Sequence, residues 1–362
     1  MGVRWAGLAL IALVGACAAP GTPQAGGESP ATSISPAAVG SPMPSPTMIL
    51  DPIPISKVAF SCRLPVFMWG EIHQGEAIGD FIEFPSGTVT PDPASVGVGL
   101  FNGPGLELYD YSGFPYFDSA YLRWLPVTRN AVSPDGAHYA YTDRLRLLPG
   151  TNTQGVRATI HVVAVNTGVD LAFDGGDWSA PFVVLDYAAE GIYLITTAGV
   201  NVGLWLMDPT TGAVKRIADL SNVQGNAGGN FVWVGTVNPS DPNPIAGIAP
   251  DQLDRMNLVD GSRVAWFYRP GSSVLLVGQD VSGHPIIMVS GADESTELFL
   301  LLDPETNRSV LKFGNGATDL AGPISDQHGV WFGSPHGIYL YSEANGLQKV
   351  SSQPGYPANG CL

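Results

Sequence analysis

Asp326, His328 and His336 flank Trp331 in one short stretch, and a carboxylate with two imidazoles is a donor set that suits a divalent metal. Asp326 and His328 also open an Asp-to-Gly turn of a kind that recurs at Asp135, Asp186 and Asp280. A turn acid is held by its own local N–H groups, so the stretch reads as turn chemistry and no metal is assigned. Gly333-Ser334-Pro335-His336-Gly337 comes nearest to a nucleophile elbow, but its serine directly follows the first glycine, which leaves a plain tight turn. Asp303 and Glu305 sit in an Asp-Pro turn rather than facing each other as an acid–base pair. His73, His138, His161 and His284 read as surface or turn residues, and CxxC, HExxH, EF-hand and P-loop motifs do not occur. The sequence therefore supplies no catalytic residue, no metal site and no cofactor.

The elements carrying these residues repeat. Ala131–Tyr141, Val183–Ile195, Leu275–Val289 and Pro323–Phe332 each run from an apolar stretch through an Asp-to-Gly turn into a second apolar stretch, the pattern of a β-hairpin. A second unit follows, an apolar strand, a polar turn and another strand, at Ile160–Phe173, Leu204–Ile217 and Leu298–Phe313. It recurs loosely at Met256–Phe267 and Gly337–Val350, and most weakly at Leu106–Gly113. Spacings of roughly 40 to 55 residues suit a four-stranded blade. The expectation is an all-β chain, a six-bladed β-propeller with seven blades as the alternative.

Ser133-Pro134-Asp135-Gly136 followed by Tyr139-Ala140-Tyr141 resembles the recurring element of the bacterial TolB-like and PD40 (WD40-like) β-propellers. That resemblance implies the architecture over most of residues 56–362 and carries no activity with it.

The N-terminus has a different character. Arg4, the apolar run Trp5–Val14 and then Val14-Gly15-Ala16-Cys17 resemble a lipoprotein signal with its lipobox, which implies removal of residues 1–16 and diacylglyceryl modification of Cys17. Residues 17–55 are rich in Pro, Ser, Gly, Ala and Thr and nearly uncharged, so they cannot offset the entropy of ordering and read as a disordered tether. Its reach, if extended, is on the order of 100 Å. The propeller is expected over 56–362.

Charged residues make up 13% of the chain, against 45 Gly and 31 Pro, a composition for short strands and tight turns. With 32 acidic and 16 basic side chains the net charge is −16, which repels a phosphate backbone and excludes nucleic acid as a partner. If Cys17 is lipidated, Cys62 and Cys361 remain, one near each end of the folded region. A ring brings its ends together, so these two are expected to form a disulfide.

In a propeller, the connections between second and third strands and between blades emerge at one face around the axis. Arg129, Arg144, Asp177, Trp178, Asn201, Arg269 and His336 fall in such connections and are the expected ligand-binding residues. Asp135, Asp186, Asp280 and Asp326, with Asn166, Asp208 and Asp303, are expected at the other face. Two functional readings follow. One is a non-catalytic, lipid-anchored protein outside the cytoplasm, on the outer face of the cytoplasmic membrane or in the periplasm, binding an envelope protein, peptide or glycan. The other is an exported hydrolase, lactonase or lyase, metal-dependent or not, drawing on Asp177, Asp241 and Asp293 or Glu294.

Overall fold

The computed structural model describes residues 54–67, 79–95, 98, 106–108, 115–145, 157–177, 180–196, 202–237, 249–291, 295–313 and 320–362. Cys17, the signal sequence and nearly all of the tether lie outside them. The described residues form six four-stranded antiparallel sheets and one two-stranded hairpin, with no α-helix. In spatial order from the axis outward, sheet I is Tyr356–Pro357, Cys62–Phe67, Gly79–Phe84 and Thr88–Pro91. Sheet II is Leu106–Leu108, His138–Leu145, Arg157–Ala164 and Asp170–Asp177, and sheet III is Val183–Ala188, Gly191–Thr196, Gly203–Met207 and Val214–Ala218. Sheet IV is Val223–Asn226, Phe231–Thr236, Gln252–Asn257 and Arg263–Tyr268. Sheet V is Ser272–Gln279, Pro285–Gly291, Thr296–Leu301 and Asn307–Phe313, and sheet VI is Ala321–Asp326, Gly329–Ser334, Gly337–Ser342 and Gly346–Ser351.

Period-2 alternation explains how these sheets become a β-propeller. Successive side chains of a strand point to opposite faces, so a strand buried on both faces serves two neighbours. In Gly191–Thr196, Ile192 and Leu194 pack with Ala140, Ile160 and Val162 of sheet II, while Tyr193 packs with Val232 and Val234 of sheet IV. In Gly329–Ser334, Trp331 packs with Leu64, Val66 and Ile82 of sheet I, while Val330 and Phe332 pack with Ile286 and Leu298 of sheet V. Trp233, Leu253 and Phe267 join Val274, Ile287 and Phe299 between sheets IV and V. Each of these apolar layers is shared, and the first strands of sheets III to VI, with Tyr356–Pro357 of sheet I, lie against one another at the centre.

Close approach at the centre has a local cause. The first and second strands of sheets III to VI slip register at Val184/Asp186, Val223/Gly225, Leu276/Gly278 and Ala321/Ile324. Such bulges sharpen the strand twist. At Gly278 a Cβ would stand 2.6 Å from Cγ of Pro323 in the next sheet, so only glycine admits that contact.

Sheet I closes the circle by borrowing its innermost strand from the C-terminus. Phe67 pairs with Tyr356 and Val66 with Pro357, and the Leu362 N–H donates to the Arg63 carbonyl. The expected disulfide joins Cys62 to Cys361 across 299 residues, with Cα atoms 5.4 Å apart.

Three elements differ from the sequence reading. Leu106–Leu108 is no third-strand unit; it pairs with Asp143–Leu145 and takes the innermost place in sheet II, where Val132, bridged to Tyr139, continues it. The residues between them are an insertion holding the hairpin Tyr116–Asp118/Arg123–Leu125 and the 3-10 turn Arg129–Ala131. Gly79–Phe84 with Thr88–Pro91 supplies a strand pair that went unrecognised because its Pro85-Ser86-Gly87 turn contains no acid. The hairpin Val223–Asn226/Phe231–Thr236 went unrecognised because Asn226 stands where the other hairpins have Asp.

Replacing Cys62 and Cys361 together by Ser is expected to cost about 2–5 kcal/mol in guanidinium unfolding while leaving the strand signature of the far-UV spectrum in place. Alkylation without reductant is expected to find neither of these thiols free.

Candidate functional site

Strand connectivity divides the propeller into two unlike ends. One end carries the turns between first and second strands and between third and fourth strands; the other carries all remaining connections. At the turn end the recurrent acids do local work. Asp135 Oδ1 accepts from the Ser133 hydroxyl and the Ala137 N–H, Asp208 Oδ1 from Thr210 and Thr211, and Asp303 Oδ1 from the N–H groups of Glu305 and Thr306. These hydrogen bonds hold all three carboxyls below the usual range, led by the Ser133 hydroxyl at Asp135, the Thr210 hydroxyl at Asp208 and the Glu305 N–H at Asp303. Asp280 likewise accepts from the N–H groups of Ser282 and His284, and Asp326 from that of His328.

Asp186 departs from this pattern. Its register partner is Tyr193, one residue past a bulge, and Oδ2 accepts from Asn226 Nδ2 of the next sheet at 2.7 Å. Burial pushes its carboxyl above the usual range, against the Asn226 hydrogen bond and the Arg129 charge, and the Glu190 carboxylate pushes the same way as burial. Glu190 itself accepts from the Tyr193 hydroxyl at 2.7 Å.

From Asp186 a belt of polar contacts passes round the turn end. Gln279 Nε2 donates to the Asn226 carbonyl at 2.7 Å, and the Ser325 hydroxyl to the Gln279 carbonyl at 3.0 Å. Beside Ser325, Asp326 Oδ2 accepts from the Cys361 N–H and from Trp331 Nε1. Asn359 Nδ2 then donates to the Phe117 carbonyl and the Tyr116 hydroxyl of the insertion hairpin. The Arg129 guanidinium lies 5.4 Å from the centroid of Tyr116, and its charge acts on Asp186, where the belt began.

Arg129 thus acts on Asp186 at the turn end, whereas the sequence placed it at the opposite end. The reason is the insertion: Arg129 precedes Val132 inside the interrupted first strand of sheet II and is not part of an inter-blade connection.

At the loop end, Asp177 is bound to Arg157, with Nη1 at 2.9 Å, and Arg157 also pairs with Asp174. Arg269 is engaged by Glu297 at 3.0 Å and stands over the Phe299 ring at 4.8 Å. The His336 N–H donates to the Ser334 hydroxyl at 2.9 Å. Arg144 lies opposite Glu107 in register. Trp178, Asn201, Asp241, Asp293 and Glu294 are outside the described residues. Connectivity brings Asp177, Arg269 and His336 to one end of their sheets, each already engaged locally. Asp326 and His328, by contrast, lie at the far end of Gly329–Ser334 from His336, with His328 stacked on Phe60 at 3.8 Å. Among the described residues no three His, Cys, Asp or Glu side chains are grouped to hold a metal.

Three acids that sequence reasoning passed over are buried at this end, Asp80, Asp251 and Asp254. Asp80 is 8% exposed, and desolvation raises its carboxyl above the usual range; Gln353 Nε2 is 3.4 Å from its Oδ2. Asp254, 3% exposed, accepts from Thr236 Oγ1 at 2.7 Å and from Gln252 Nε2. The available signal was an acid set in an apolar strand, Gly79-Asp80-Phe81-Ile82 and Leu253-Asp254.

No family model matches the chain, and no curated protein matches it. Solved structures that it resembles include TolB from Acinetobacter baumannii, at 14% identity and TM-score 0.40, covering 81% of this chain and 62% of that one. Another is an oligogalacturonate lyase from Vibrio parahaemolyticus, at 12% identity and TM-score 0.42, covering 81% and 79%. A third comes from an analysis of two prolyl endopeptidases, at 14% identity and TM-score 0.46, covering 80% and 49%. These are β-propeller folds of the TolB/PD40 type, and the likeness is one of architecture.

The charged form of Asp186 opposes folding, because its folded pKa lies above its unfolded one. The stability tied to its proton is fully present below the usual aspartate value of about 3.9 and is lost as pH rises through the raised folded value. Asp186→Asn is therefore expected to melt higher than the parent at pH 7 and level with it at pH 3, by calorimetry across the two conditions.

Proposed function

We propose that the chain is a lipid-anchored binding protein of the bacterial envelope, exported by its signal sequence, held by Cys17 and presenting its loop end to a peptide, glycan or protein partner. One observation carries this reading. Four long connections, residues 68–78, 92–105, 146–156 and 237–251, come from sheets I, II and IV and all join strands at the same end, while the other end has short turns, apart from the insertion that splits the first strand of sheet II, tied into a polar belt. Long loops on a rigid scaffold are where recognition is normally carried. Their sequences mix aromatic and amide side chains, among them Trp69, Phe101, Asn152, Gln154, Asn238 and Asn243, the chemistry that holds neutral polar ligands.

A second reading, an exported hydrolase, lactonase or lyase, rests on Asp80. A desolvated carboxyl between the connections 68–78 and 92–105 is of the kind that general acids use.

Cys17→Ala is expected to move the protein from the membrane fraction to the soluble fraction with its melting transition unchanged; retention on the membrane after a salt wash sinks the anchor. Replacing residues 238–248 by a Gly-Ser linker is expected to abolish binding to peptide and glycan arrays while preserving the fold. Ester or glycoside turnover lost in Asp80→Asn would instead establish the enzyme.

A further inference from the structure

A cleft of about 510 Å³ opens beside the insertion, a size that suits a small molecule, because such sites run from about 300 to 1,000 Å³. Leu125, Pro126 and Val163 give it apolar surface, and Trp124 and Tyr139 give it aromatic surface. The Trp124 ring is fixed in place, since its Nε1 donates to Asp92 Oδ2 at 2.9 Å. Most of the lining belongs to the insertion and to the turn-end half of sheet II.

Two side chains at this cleft do nothing for the fold that would account for them. Arg123 lines the cleft and is exposed; among the described residues its guanidinium has no carboxylate partner and donates to the Val165 carbonyl. Its charge reaches the Tyr139 hydroxyl, whose pKa burial raises above the usual value, with Asp170 adding to the rise and Arg123 opposing it. Asp170 itself is engaged by His161 Nδ1 at 2.9 Å. Leu122 is the second. It ends the turn between Asp118 and Arg123, in which Asp118 Oδ1 accepts from the N–H groups of Ala120 and Tyr121, and it does so at a φ of 51°. Among the described residues only Leu122 and Asn222 carry a side chain at positive φ, and asparagine tolerates a region in which leucine is strained. Leu122 is also 72% exposed and joins none of the hydrophobic clusters, so strain and wetted apolar surface both count against the fold.

We propose that this cleft binds a small organic acid, an apolar or aromatic body ending in one carboxylate. The carboxylate answers the Arg123 guanidinium, whose planar array of N–H groups suits it, and the body lies against Leu122, Pro126 and Tyr139. This goes beyond the loop-end reading, because only Ala94 and Val98 of the lining belong to a long connection. The net charge of −16 acts weakly here, since distant exposed charges are screened beyond about 8 Å at physiological salt.

The test uses the full chain with 3-phenylpropionate and its neutral isostere 3-phenylpropionamide, read by titration calorimetry. The acid is expected to bind at least about tenfold more tightly than the amide and to slow hydrogen exchange at residues 120–125 and 163–168; Arg123→Gln is expected to bring the acid down to the level of the amide. Leu122→Gly relieves the strained turn, so it is expected to melt about 2 °C higher and yet to bind acid and amide about fivefold more weakly. Weaker binding in a more stable protein separates contact with the ligand from folding. Equal binding of acid and amide, binding of neither, protection elsewhere, or undiminished affinity in either variant overturns the proposal.

Discussion

Closure of the circle is the constraint on which the rest of the structure depends. Every sheet buries both faces against neighbours, so an unclosed chain would leave two apolar faces in water at its ends, those bearing Leu64 and Val66 on one side and Trp331 and Leu340 on the other. Sheet I solves this by combining strands from both termini, and a two-residue strand such as Tyr356–Pro357 is too short to hold by itself. The disulfide and the hydrogen bonds flanking the strand fix it in place. The insertion hairpin adds a second seal: Phe117 and Trp124 pack with Phe81 and Ala358 between sheets I and II, and the Phe117 N–H donates to the Ala358 carbonyl.

Closure also separates the two ends of the propeller. The polar belt runs from sheet to sheet through side chains that each reach one neighbour, Asn226 to Asp186, Gln279 to Asn226 and Ser325 to Gln279. In sheets III to VI such contacts tolerate little variation in turn length, because each donor must meet a carbonyl or carboxylate of fixed position. The loop end carries no equivalent run among the described residues, so its connections are free to lengthen.

The sequence made the repeat visible where turn chemistry announced it. Asp-to-Gly hairpins at Asp135, Asp186, Asp280 and Asp326 all form, and cysteine parity pointed to Cys62 and Cys361. It was silent where the same geometry is reached by other residues, as at Asn226 with Gly228 and Gly229 at positive φ, or at the Pro85 turn. It misplaced Arg129, because periodicity along the chain cannot reveal that one strand is split and resumed after an insertion. Asp80 and Asp254 escaped notice for a related reason: a lone acid in an apolar strand is a signal only once burial is known.

An acidic chain must place its carboxylates somewhere, and the placements here differ in energetic sign. Asp135, Asp208, Asp260 and Asp303 are lowered by the hydrogen bonds of their own turns, so their charge favours the folded state at neutral pH. Asp80 and Asp186 are raised, so their charge opposes it. An amide at position 186 keeps the acceptor that Asn226 needs and escapes the desolvation cost, which means packing alone does not call for a carboxyl there. The same argument applies to Asp80 at the other end. Two ionisable groups are thus held against the stability of the fold, one beside Arg129 at the belt and one at the base of the long connections.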